Sequence, residues 1–312
     1  MGRIQSSRNI VFDYLGYIEG WGLRRFTFLL TILLSFDFAV AEELVVETSG
    51  EFNIKGSEIF TVYSKILGRK YDLYIKTPAG YNDKAAEKLK YPVLYLNDGP
   101  YAFKVAAGVT HLKSMNKAIL VGISFAHGEN GQFSRVRDLT PVLDESWKRY
   151  RTGGAPEYLR FIEEEVIPFV EVNYRANPAK RILAGQSLGG SFGVWVLLSK
   201  PELFSSYVLT SPSLWYKNEM IFDIEEEYSK KYKSLNANVY LATGALETKE
   251  DGRMSNDMVD GHKRFVEILR SRKYTGISIN DEIVSGADHY STFPIGLAKG
   301  LRWIYQDQWN LP

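Results

Sequence analysis

Ser187 stands at the centre of G-x-S-x-G, inside the stretch R-I-L-A-G-Q-S-L-G-G at Arg181–Gly190. A serine hydroxyl becomes a nucleophile only when a base removes its proton and donors stabilise the charge that then develops. An apolar run precedes this serine, and a helix-like run, S-F-G-V-W-V-L-L-S, follows it. That context predicts a tight strand-to-helix turn, a nucleophile elbow, with glycine needed at Gly185 and Gly189. The turn lifts the hydroxyl onto a helix N-terminus, where free N–H groups favour an oxyanion. The alternative is a structural Gly-rich turn in a chain that holds 26 glycines.

The base must be one of four histidines. His111 and His262 fall within predicted helices, where surface or packing roles are expected. His127, in A-H-G-E-N-G-Q-F, precedes the serine and breaks the usual order of nucleophile, acid and base. His289, in S-G-A-D-H-Y-S, follows the last predicted strand and completes that order. The acid is expected on the loop after Asn238–Thr243, where it would hold the imidazole tautomer and stabilise the imidazolium. Glu247 is nearest the strand end, with Asp251 and Asp257 as alternatives; the other reading is that these are solvated acids on an exposed loop. One oxyanion donor is the N–H of Leu188. The second is expected from N-D-G-P-Y after strand Pro92–Asn97; Pro100 has no N–H, which leaves Gly99 or Tyr101, and Tyr101 is favoured.

The elements that position these residues alternate strand and helix. Phe60–Leu67 and Lys70–Thr77 read as a hairpin, followed by buried strands at Pro92–Asn97 and Ala118–Ser124. A helix is predicted over Ala102–Met115 and another over Ala155–Tyr174, kinked at Pro168. Strands follow at Arg181–Gln186, Tyr207–Thr210, Asn238–Thr243 and Ser278–Val284, with later helices near Met258–Arg270 and Ile295–Gln306. This predicts an α/β fold with a mostly parallel sheet, antiparallel N-terminal edge strands and helices on both faces. Sites in such sheets lie outside the carboxyl ends of the strands. Arg135 and Arg137 are expected there, in a loop, either gripping an anionic substrate or fixing the loop through ion pairs. Trp215 is expected either to wall a pocket or to pack beneath its loop. The segment from Ala126 to Gly154, with Phe133 and Trp147, reads as a partial lid.

The composition is that of a globular protein, with a net charge of +1 and no basic stripe, so nucleic acid is not an expected partner. No cysteine is present, so disulfides and thiolate metal sites are excluded. No paired-histidine, phosphate-loop or dinucleotide motif occurs, and the expectation is an enzyme without metal or cofactor. Arg24-Arg25, the apolar run Phe26 to Phe36 and Ala39-Val40-Ala41 resemble a signal peptide cut after Ala41. That leaves one domain over 42–312, exported to a periplasm or the exterior, without stable membrane insertion. A hydrophobic helix packed on the domain is the other reading of this segment.

Several motifs in register resemble the esterase D / enterochelin-esterase-like family of the α/β-hydrolase superfamily. They are Y-P-V-L-Y-L-N-D-G at Tyr91–Gly99, R-V-R-D-L-T-P at Arg135–Pro141 and I-L-A-G-Q-S-L-G-G at Ile182–Gly190, with T-S-P-S-L-W at Thr210–Trp215 and H-Y-S at His289–Ser291. The resemblance spans about Phe60 to Trp309. It implies an α/β-hydrolase fold and cleavage of carboxylic esters, with Ser187 as nucleophile and His289 as base. Glu247 stands where many members have a carboxylate, whereas the siderophore-cleaving branch is described as working with a Ser–His dyad. Family substrates include thioester-linked, feruloyl and acetyl-sugar groups and the trilactones of catecholate siderophores, and mycolyl-transferring relatives share the fold. The expected function is therefore an exported serine esterase acting through an acyl-enzyme, with a siderophore trilactone as the leading substrate. The alternatives are a carbohydrate acetyl or feruloyl esterase, an acyltransferase, and a catalytically silent binding protein on the same fold.

Overall fold

Residues 53–112, 114–250 and 254–311 are described by the structure, a computed structural model. The signal-like segment and Asp251 lie outside them. Eight strands form one sheet in the order β1-β2-β4-β3-β5-β6-β7-β8. β1 (Ser57–Ser64) and β2 (Arg69–Lys76) make the expected hairpin, and β2 runs antiparallel to β4 (Ile119–Ile123). From β4 onward neighbours are parallel: β3 (Tyr91–Leu96), β5 (Ala176–Gln186), β6 (Ser206–Thr210), β7 (Ser234–Gly244) and β8 (Thr275–Val284).

Side chains alternate across a strand, so apolar runs fill cores on both faces. Val93 and Tyr95 of β3 join the larger core with Tyr71, Phe161, Phe192 and Phe265, while Leu94 and Leu96 face the smaller one with Phe103, Phe293 and Leu297. The smaller core is covered by α1 (Gly99–Val109) and α8 (Thr292–Trp303). The larger is covered by α2 (Gly131–Leu139), α3 (Ala155–Phe161), α4 (Ile167–Asn173), α5 (Leu188–Ser199), α6 (Tyr216–Lys231) and α7 (Met258–Arg272). The chain turns left from β3 to β4 and then right to β5. The carboxyl ends of β3 and β5 therefore flank a topological switch point, where ligands bind in sheets of this kind.

Three sequence readings are corrected here. Arg135 and Arg137 lie on α2 rather than in a loop; Asn130 caps that helix by accepting the Gln132 N–H at 2.9 Å. The second missed helix, α6, opens with left-handed backbone at Lys217, Asn218 and Glu219, which masks its start. The single helix expected over Ala155–Tyr174 is interrupted by a π-turn at Ile162–Val166, whose end bonds Ile167 N–H to the Ile162 carbonyl. Pro168 lacks a donor and crowds the preceding turn, so the helix widens just before it.

Candidate active site

Ser187 joins β5 to α5 at φ 59° and ψ −119°, a conformation that costs a non-glycine residue on the order of 1–3 kcal/mol. The neighbours over-determine it. Its N–H donates to the Thr210 carbonyl at 3.0 Å, and its carbonyl accepts from the N–H groups of Ser191 and Ser213. A Cβ on Gly185 would stand 2.3 Å from the Gly189 carbonyl oxygen, so glycine is required there. Gly189 is a correction: nothing approaches its Cβ position closer than 3.5 Å, and Gly190, 2.9 Å from the Thr210 carbonyl oxygen, is the second crowded position.

His289 lies on the loop between β8 and α8, and its Nδ1 is 2.6 Å from Glu247 Oε2 on the loop after β7. A proton on Nδ1 in that bond leaves the lone pair on Nε2. Glu247 is fully buried. Its Oε1 accepts from the Ser211 hydroxyl at 2.6 Å, the Gly244 N–H at 2.8 Å and the Thr292 hydroxyl at 2.8 Å. Burial pushes this carboxyl up, but the bonds from His289, Ser211 and the Gly244 amide outweigh burial and hold it below its ordinary value. Of the alternative acids, Asp257 caps α7 by accepting the Asp260 N–H. Asp288 holds the histidine loop, accepting from the Ser291 N–H and hydroxyl.

Gln186 ties the two loops together. Its Nε2 donates to the His289 carbonyl, and its Oε1 accepts from the Tyr101 hydroxyl at 3.4 Å. The Tyr101 amide does not serve as the expected oxyanion donor, because its N–H donates to the Asp98 carbonyl at 3.0 Å in the first turn of α1. Gly99 N–H is the remaining amide of that turn. The Leu188 N–H is the first of α5.

Two serines were missed in sequence. Ser213 Oγ is 3.3 Å from Ser187 Oγ, and Ser211 supports Glu247. The signal was present in S-P-S at the carboxyl end of β6, where two small polar residues flank a proline beside the elbow.

The two arginines divide. Arg137 is buried, with Nε on Asp138, Nη1 on Glu129, and Nη2 within reach of Tyr71, Ser134 and Asp138. These contacts engage all three of its nitrogens in ion pairs and hydrogen bonds within the protein, the arrangement of the loop-fixing alternative. Arg135 makes a two-pronged pair with Asp98, Nε to Oδ1 and Nη2 to Oδ2, both 2.9 Å. Trp215 stacks on Trp147 with ring centroids 6.1 Å apart. Tyr150 lies edge-on to Trp147 and tilted against Phe133, and Arg149 sits over both Phe133 and Tyr150 at 5.8 Å. Of the remaining histidines, His127 pairs with Asp72 and His262 is buried in α7. A separate cleft of about 690 Å³, lined by Pro178, Lys200 and Asn236, lies at the amino ends of β5–β7 and holds none of these residues. Among the described residues no helix is long and apolar enough to cross a membrane, and no group of three or more His, Cys, Asp or Glu could hold a metal ion.

A mixed eight-stranded sheet with helices on both faces and a serine on a strained strand-to-helix turn define an α/β-hydrolase fold. The family described as "Putative esterase" matches residues 64–304, and the chain belongs to that family. It is a carboxylic ester hydrolase. The chain is 29% identical over 275 residues to ferri-bacillibactin esterase BesA of Bacillus subtilis (strain 168), covering 82% of this chain and 92% of that protein. It is 24% identical over 269 residues to the siderophore triacetylfusarinine C esterase of Aspergillus fumigatus, covering 77% and 90%. Among solved structures, the BES protein from Bacillus cereus superposes with a TM-score of 0.71 at 29% identity, covering 84% of this chain and 99% of that one.

Proposed function

We propose that this protein is an exported serine esterase that opens the ester bonds of a siderophore through an acyl-enzyme. The observation that carries the reading is the 2.6 Å contact between His289 Nδ1 and buried Glu247, on a loop that Gln186 ties to the elbow of Ser187. Ser187 Oγ attacks the ester carbonyl while His289 Nε2 takes its proton. The C=O electrons move onto oxygen, held by the N–H groups of Leu188 and Gly99. The tetrahedral adduct collapses, the C–O bond to the alcohol breaks, and the imidazolium returns its proton to the leaving oxygen. Water, deprotonated by His289, then releases the acid and regenerates Ser187.

Two features support a siderophore ester. The Bacillus subtilis and Aspergillus fumigatus relatives are siderophore esterases, and the Trp147–Trp215 stack with Phe133, Tyr150 and Arg149 offers π-faces and a cation to an aryl, anionic group. The basic flank, apolar run and Ala39-Val40-Ala41 support export. Turnover is measured for nitrophenyl esters, feruloyl esters and a ferric catecholate trilactone, with Ser187→Ala as control. Preference for the trilactone is expected. Preference for feruloyl esters moves the assignment to a carbohydrate-linked aryl ester, and faster transfer to an added alcohol than to water makes it an acyltransferase. A secreted product whose N-terminus is not Glu42 removes the proposed cleavage.

A further inference from the structure

Asp98 sits in an awkward place for an esterase. It adopts a left-handed conformation, φ 56° and ψ 41°, at the start of α1, where its carbonyl accepts the N–H groups of Tyr101 and Ala102. Its carboxylate turns toward the elbow: Oδ2 lies 3.5 Å from the position a Cβ would occupy on Gly189, in the first turn of α5. A negative charge there competes with an oxyanion for the positive end of α5 and repels the charge that develops in the transition state. Arg135 meets this carboxylate with two parallel bonds of 2.9 Å, and both side chains are largely shielded from water, at 18% and 11% exposure. A planar fork in this geometry neutralises the carboxylate and fixes its orientation at once. The loop it holds has little room to shift, because a Cβ on Gly99 would fall 2.7 Å from the backbone of Ile123 at the end of β4.

We infer that Arg135 is a positioning residue for the oxyanion hole: its pairing with Asp98 screens the carboxylate from the developing oxyanion and locks the turn that presents the Gly99 N–H, instead of binding substrate. The inference rests on Ser187 acting as nucleophile. It makes the effect of Arg135 independent of substrate charge, which separates it from an arginine that grips an anion.

The test uses an uncharged ester, 4-nitrophenyl acetate, and an anionic aryl ester, with kcat and KM for wild type, Arg135→Gln, Asp98→Asn and the double variant. Circular dichroism melts accompany each. Arg135→Gln is expected to lower kcat on both esters by on the order of 10–100-fold with KM nearly unchanged, the pattern of lost transition-state stabilisation. Removing the stranded charge in the double variant is expected to restore about tenfold of that loss. Asp98→Asn alone keeps a residue tolerant of left-handed backbone and is expected to lose less than Arg135→Gln. Normal kcat on the uncharged ester with raised KM only for the anionic one overturns the inference, as does a folded double variant no faster than Arg135→Gln. If Arg135→Gln does not fold, Asp98→Asn decides alone, and a 100-fold loss in kcat overturns the inference. Turnover retained in Ser187→Ala sinks the nucleophile assignment itself, an outcome that the Arg135 variants cannot produce.

Discussion

Among the described residues, two sets of hydroxyl, imidazole and carboxylate side chains invite comparison, and the proposed mechanism assigns the chemistry to the first alone. In the first, Ser187 stands on the elbow while His289 Nδ1 bonds Glu247 at 2.6 Å. In the second, His262 of α7 lies 2.9 Å from Thr243 Oγ1 through Nδ1 and 3.3 Å from Asp281 through Nε2. Thr243 and His262 are fully buried, and Thr243 sits in the regular backbone of β7. Its hydroxyl is closed off from solvent. That group instead braces the strand end from which Gly244 donates to Glu247. The comparison teaches that residue types at hydrogen-bonding distance do not make a catalytic site. A strained backbone at Ser187 and the partial exposure of Ser187 and His289 set the first group apart from its buried counterpart.

The strongest attempt to break that comparison exchanges the hydroxyls. Ser187→Ala is expected to lower kcat by roughly 10³-fold or more on nitrophenyl esters and to abolish labelling by a fluorophosphonate. Thr243→Val is expected to leave kcat within about twofold while destabilising the fold by ~1–3 kcal/mol, since His262 loses a buried partner. A Thr243→Val enzyme as inactive as Ser187→Ala would erase the distinction. Next come the acids. Glu247→Gln is expected to lower kcat by roughly 10²- to 10⁴-fold by removing the charge that fixes the His289 tautomer. Asp281→Asn is expected to shift the melting temperature alone. Full activity in Glu247→Gln would make the site a Ser–His dyad, with Glu247 only anchoring the loop.

The sheet, the elbow and the chain order of serine, acid and histidine were legible in sequence because each rests on local pattern: apolar runs, paired glycines, a histidine after the last strand. What eluded sequence reading depends on long-range approach. Which glycine is crowded follows from how closely Thr210 and Gly189 come to the elbow, so Gly189 reads as essential and Gly190 does not. The amide of Tyr101 reads as free because sequence does not reveal that a left-handed Asp98 offers it a carbonyl. The arginines of α2, two positions apart, read alike, yet their partners come from the loops around Glu129 and Asp98. A sharper test of this point is Gly189→Ala, expected to change stability by less than about 0.5 kcal/mol, against Gly185→Ala, expected to cost ~1–3 kcal/mol through overpacking.

The smallest expected effect separates the two constellations by pH. Burial holds the His262 pKa below its ordinary value, with Arg270 and Lys263 adding to the shift and Asp281 opposing it. The unfolded chain, with an ordinary imidazole near pKa ~6.5, therefore takes up the proton first, and stability falls as the pH drops below about 6.5. Glu247 is also depressed, but it is a carboxylate. Its contribution is complete above the unfolded value of roughly 4.3 and is lost only as the pH falls through its still lower folded value. The buried group thus weakens in mild acid and the reactive one in strong acid. Melting temperatures from pH 8 to 5 should fall less steeply in His262→Gln than in wild type, whereas Glu247→Gln should keep the wild-type slope over that range. Equal slopes in His262→Gln and wild type would show that the buried histidine does not set the response to mild acid, and would remove this physical difference between the two groups.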